Sequence, residues 1–164
     1  MRLSTIRGGL TALLLAIPLA VGAQESDTGG DPPWARPDAP FRTVFAELGG
    51  AGYVFTVNVQ LRLTRVWLRV GAGGLSDRDG DVFWGVPLMA GTFFGRGPHF
   101  LETGGGVVLV DLNDPEPVLE GVADIGYRFV HPNGLTFRAM LTPHFGLDLG
   151  WFGPWAGLSL GYTF

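Results

Sequence analysis

The chain has no cysteine, no lysine and only three histidines, and charged residues fill just 16% of its 164 positions. Without cysteine there is no disulfide framework, thiolate metal site or thiol nucleophile. All eleven cationic side chains are arginine and the net charge is -4, so the broad basic face of a nucleic-acid binder is missing. Beyond residue 23, no stretch approaches the ~18 or more apolar residues of a spanning helix. What is abundant is glycine, at 27 residues, and apolar side chains, at 46%. That composition is too apolar for disorder and suits one folded domain.

Arg2 and Arg7 precede an apolar run from Leu10 to Val21 and a small-residue exit at Val21-Gly22-Ala23. This pattern predicts a secretory signal peptide over 1–23, cut after Ala23. Residues 24–41 form a separate segment, rich in Asp, Pro and Gly without periodicity from Gln24 to Pro40, which reads as an exposed periplasmic tether. The domain proper is expected over 42–164.

There the period is two. Turn-like punctuation marks eight strand candidates at about 42–49, 52–63, 65–74, 82–94, 99–110, 119–130, 135–146 and 155–164. Phe55, Val57, Val59, Leu61 and Leu63 alternate with Thr56, Asn58, Gln60 and Arg62, and the closing PWAGLSLGYTF repeats the scheme. Each candidate has roughly the ~9–11 residues of a tilted membrane strand. Lipid satisfies no open sheet edge, so a membrane protein built from these segments must be a closed barrel. The fold class expected is all-β, an eight-stranded antiparallel up-and-down transmembrane β-barrel.

Alternation alone fits both a lipocalin-like carrier, apolar inside, and an outer-membrane barrel, apolar outside. Three features favour the second. Glycine studs the polar phase (Gly71, Gly73, Gly91, Gly104, Gly106, Gly126, Gly157, Gly161), as a crowded narrow lumen requires. Aromatics sit toward strand ends (Tyr53, Phe94, Phe129, Phe164), where interfacial girdles lie, and the apolar phase carries almost no charge apart from Arg42. The polar phase then sends Glu47, Arg62, Arg65, Arg69, Glu102, Asp124, Arg128 and Arg138 into the lumen, with Glu120 near the outer mouth. Buried charges must pair, so a charge-compensated plug is expected in place of a solute channel, a gated ion path being the alternative. Short turns at Leu63-Thr64, Gly95 to Pro98 and His131 to Gly134 would face the periplasm, and the loops at Gly49–Gly52, 75–81, 111–118 and 147–154 would face outward.

Candidate chemistry is sparse. Asp77, Asp79 and Asp81 around Gly80, with Asp111, Asp114 and Glu116, lack full calcium-loop spacing and read as solvated acidic turns. His99 and His131 sit at turns. His144 lies near the outer end of strand seven, able to join Glu120 but with no serine beside it, while Ser159 points inward at mid-depth. No catalytic, cofactor or metal residue is therefore assigned. Pro143 is expected to mark a bulge or a break in pairing.

The order ELGGAG, VNVQLRL, RVGAG, GVPLMAGTFFGRGPHFLETGGGV, IGYRF, GLTFRAMLTPHFG and PWAGLSLGYTF resembles a family of small outer-membrane β-barrel proteins frequent in Bacteroidetes-type bacteria, similar to small OmpA/OmpX-type barrels. Met89 and Gly91 depart from it by occupying inward positions where polar groups would be expected. The resemblance implies an outer-membrane location and no particular activity. It also implies that Tyr162 and Phe164 form the signal read by the barrel-assembly machinery. The expected partners are that machinery and outer-membrane lipid, and the expected role is structural or interaction-related. An outer-membrane lipid hydrolase or acyltransferase, a soluble carrier and a weak channel are the rival readings.

Overall fold

The computed structural model describes residues 39–76, 82–111, 117–147 and 152–164. The signal peptide, the tether as far as residue 38, and the acidic turn residues Asp77, Asp79, Asp81, Asp114 and Glu116 lie outside the described residues.

Eight antiparallel strands close into a barrel. They are β1 (Phe41–Gly49), β2 (Phe55–Leu63), β3 (Val66–Ser76), β4 (Val82–Arg96), β5 (His99–Asp111), β6 (Val118–Val130), β7 (Leu135–Leu141, continued by His144–Gly146) and β8 (Phe152–Gly153, continued by Ala156–Thr163). Each strand pairs with its sequence neighbours, and β1 closes the wall against β8 with Glu47 opposite Ser159 and Thr43 opposite Thr163. Full closure leaves no free edge among the described strands, consistent with what period-two segments of this length need in lipid.

Strand ends shift by one to three residues from the sequence reading, and three of the differences have a clear physical reason. The barrel starts one residue early, because Phe41 is not tether but the first inward residue of β1, only 3% exposed. β2 starts at Phe55, three residues late, because Gly50–Gly52 forms a single 3-10 turn that folds into the barrel mouth. β7 breaks at Thr142-Pro143, where proline has no N–H for the ladder. The sheet stays joined there through Thr142 N to Trp155 O at 2.8 Å and Ala123 N to Pro143 O at 3.1 Å.

Sidedness follows the alternation. Val57, Leu68 and Leu158 are 48%, 46% and 57% exposed, whereas Arg69, Glu102 and Arg138 are almost completely enclosed. Among the described residues the interior holds more polar than apolar side chains, 17 against 12, the reverse of a water-soluble core. The lumen is layered. At the end with the short turns, Phe41, Trp67, Phe93, Phe100 and Val130 pack together. Charged groups fill the middle, and the Gly50–Gly52 turn covers the other end.

The glycines at inward positions now have a specific reason. Gly91 and Gly104 face each other across β4 and β5, and the Trp67 indole lies on both. A Cβ would approach the indole to 2.3 Å at Gly91 and 2.4 Å at Gly104. It would also meet main-chain oxygens of the wall, Thr103 O at 2.0 Å and Ala90 O at 2.6 Å, which have little room to yield. Gly104→Val is therefore expected to block formation of the gel band of a folded barrel, the one that shifts on boiling. Trp67→Ala beside it should restore only part of the yield, since the clash with the wall remains.

Candidate functional site

The middle layer is an ionic lattice built from five strands. Glu47 comes from β1, Arg69 from β3, Glu102 from β5, Asp124 and Arg128 from β6, and Arg138 from β7. Three carboxylates and three guanidinium groups balance, and all six side chains are fully enclosed.

Glu102 is its centre. It accepts from Arg128 Nε at 2.9 Å, from Arg138 Nη2 and Nε at 3.0 and 3.1 Å, and from Gln60 Nε2 at 2.9 Å. Arg138 also reaches Glu47 at 3.2 Å and Ser159 at 3.1 Å, with Asp124 3.5 Å away. Arg69 pairs with Asp124 and lies 3.9 Å from Glu47. Within the lumen, Arg128 continues toward the short-turn end to Gln60 and to Thr43 at 3.2 Å. From there a hydroxyl chain runs through Thr163 to Thr136, with spacings of 2.8 and 2.6 Å.

Aromatic faces hold the same cations. Arg138 stands 4.3 Å over Phe45, Arg128 4.8 Å over Phe93, and Arg69 5.2 Å over Trp67. This explains Met89, the inward residue that departed from the resemblance: its sulfur accepts from Arg69 Nη2 at 2.6 Å. Glu47 Oε2, Arg69 Nε and Asp124 Oδ1 are buried without a hydrogen-bond partner among the described residues.

The sequence-assigned lumen residues thus separate into three groups. Glu47, Arg69, Glu102, Asp124, Arg128 and Arg138 come together in the lattice. Arg62 is buried but sits toward the short-turn end, over Phe41 and Phe93 at 5.1 and 5.6 Å, and donates to Thr64 O at 2.5 Å. Arg65 is not in the lumen. The β2–β3 turn is Thr64-Arg65, one residue later than Leu63-Thr64, and Thr64 takes φ +62°, which leaves Arg65 at the exposed tip.

A second cluster closes the opposite mouth. His144 Nδ1 lies 3.4 Å from Glu120 Oε2, and its Nε2 lies 3.3 Å from Gly50 O. Tyr53 donates its hydroxyl to the same Glu120 oxygen and sets its ring 4.4 Å from the imidazole. Trp155 Nε1 donates to Tyr53 O at 3.0 Å. Tyr53 is therefore not part of an outer aromatic girdle, and its φ of +72° with ψ -84° is a tight-turn geometry that a bulky residue adopts only under constraint. Burial, then the Glu120 carboxylate, pushes the Tyr53 phenol well above its ordinary range, which keeps its proton on the bond. Gly50, at φ +77°, passes so close to Glu47 that a Cβ would strike the carboxylate.

Ser159 bonds Glu47 and Arg138, so its partners and those of His144 do not overlap. His99 and His131 are exposed at the short-turn end, with His99 Nδ1 2.5 Å from Tyr127 Oη. Among the described residues no group of His, Asp or Glu has metal-holding geometry. Tyr162 and Phe164 face outward with ring centroids 6.3 Å apart.

No family model and no curated protein matches the chain. Solved structures do. The N-terminal β-barrel domain of Pseudomonas aeruginosa OprF aligns with a TM-score of 0.57 at 15% identity, over 76% of this chain and 96% of that one. Yersinia pestis outer membrane protein Ail in a phospholipid bilayer nanodisc aligns at 0.52 and 13%, over 76% and 99%. These likenesses show the fold, a closed antiparallel eight-stranded barrel.

Proposed function

We propose that the chain is an integral bacterial outer-membrane protein whose lumen is plugged by paired charges, with a structural or interaction role and no catalytic site. The observation that carries this reading is the inverted distribution of side chains. Leucine, valine and phenylalanine cover the outside of a closed barrel, and the lattice around Glu102 fills the inside. Water would strip such a surface into aggregates, whereas hydrocarbon solvates it. A soluble carrier would need the opposite arrangement.

On this reading the short-turn end faces the periplasm, outer-membrane lipid surrounds the wall, and the barrel-assembly machinery reads Tyr162 and Phe164 during insertion. The protein should fractionate with outer membranes, need detergent for extraction and migrate differently on a gel before and after boiling. It should add no steady conductance to a planar bilayer. Appearance in the detergent-free periplasmic fraction would refute the membrane assignment, and steady ion flux would refute the plug. The enzyme alternative has its own check. His144→Ala should leave the outer-membrane lipid profile unchanged in a producing strain, and a lost lipid modification would revive it.

A further inference from the structure

Among the described residues the exposed cations all lie at one end of the barrel. Arg42 is exposed on the outward row of β1, beyond Val44, Ala46 and Leu48, and its main chain is clasped to Phe164 by two 2.9 Å bonds. Arg65 is exposed at the tip of the β2–β3 turn and Arg96 at the end of β4. None of the three guanidinium groups forms an ion pair among the described residues.

The carboxylate side chains of the described residues are elsewhere. Glu47, Glu102 and Asp124 are inside the lumen, Glu120 is in the opposite mouth, and Asp111 ends β5 on that opposite side. Exposed rings occupy the arginines' end: Phe94, two residues before Arg96, Tyr127 bonded to His99, and the Tyr162–Phe164 stack. Aromatic rings of this kind settle at headgroup level. The arginines stand at or beyond that level, where phosphates lie.

We propose that this end of the barrel is a docking ring for anionic phospholipids, with Arg42, Arg65 and Arg96 each engaging headgroup phosphates of the surrounding leaflet. The inference rests on the membrane reading above. The planar guanidinium fork matches two phosphate oxygens at once, and a cation with no ion pair among the described residues breaks none by engaging one. Three sites spread over β1, the β2–β3 turn and β4 would fix the height of the barrel in the bilayer as well as attract lipid.

The test uses the full chain folded into vesicles of phosphatidylcholine alone or mixed with phosphatidylglycerol, reading the urea midpoint from the heat-shifted band. At low ionic strength phosphatidylglycerol should raise the folded-to-unfolded ratio roughly fivefold for each arginine engaged, and added salt should erode the gain. Arg42→Gln/Arg65→Gln/Arg96→Gln should fold in both vesicles and lose the gain. Should the triple variant not fold, each single variant should lose a share of it. Inorganic phosphate over phosphatidylcholine vesicles should give no gain. No gain for the natural chain, an undiminished gain in the variants, or an equal gain from free phosphate would each overturn the proposal. Absence of a heat-shifted band in every vesicle would instead overturn the membrane reading.

Discussion

Glu102→Gln is expected to cost about 3–5 kcal/mol of barrel stability, the range for removing one partner from a buried ionic network. The carboxylate accepts four hydrogen bonds from three side chains. Its loss leaves Arg128 with only the neutral acceptors Gln60 and Thr43, and leaves Arg138 to share Glu47 and Asp124 with Arg69. No water-rich surface is near to take up the surplus charge. Arg128→Met should cost less, because Glu102 keeps Arg138, and Glu102→Gln/Arg128→Met should cost less than the two single changes added together. The urea midpoint of the heat-shifted band in detergent micelles measures all three. Arg65→Gln is the control: an exposed turn-tip cation with no ion pair should leave the micelle midpoint unchanged. A Glu102→Gln midpoint equal to that of the natural chain would show that the lattice does not hold the barrel together.

That lattice was only partly legible in the sequence. Period-two alternation places Glu47, Arg69, Glu102, Asp124, Arg128 and Arg138 on the inner face, because a strand has only two faces and the other is plainly apolar. It says nothing about angular position or height. That Glu102 meets Arg138, 36 positions along, depends on strand stagger, which no single strand encodes. Arg65 was misplaced for a related reason. A two-residue turn shifted by one position moves a side chain from wall to tip, and Thr64 at positive φ carries no sequence signal, since threonine rarely adopts it. Glycine in the polar phase was readable as a sign of crowding, but not that Gly91 and Gly104 make room for one indole. At the mouth the sequence places Glu120 and lets His144 join it, as the structure has them. The lid over them was not legible, because Gly49-Gly50-Ala51-Gly52 looks like a plain turn and Tyr53 like a girdle aromatic.

The Gly50–Gly52 turn should behave as a lid held by those two side chains, and Glu120→Gln should loosen it strongly. Its hold is a hydrogen bond from Tyr53 to a nearly buried carboxylate, together with His144 at Gly50 O. Bonds to a charged acceptor contribute about 1.5–3 kcal/mol, which corresponds to roughly ten- to a hundredfold in the open population. The absence of cysteine makes this measurable. Ala51→Cys puts a thiol on the fully buried middle residue of the lid itself, in a background with no other thiol. A membrane-impermeant maleimide should label it slowly in the otherwise natural chain, and about ten times faster or more once Glu120→Gln or Tyr53→Phe is added. The constrained backbone at Tyr53 favours opening when the bond is lost, because release lets that residue return to an ordinary conformation. The urea midpoint should fall far less than for Glu102→Gln, since the lid lies outside the strand ladder. Equal labelling rates in all three proteins would show that the turn stays shut by packing alone. Fast labelling without either substitution would show that it does not stay shut.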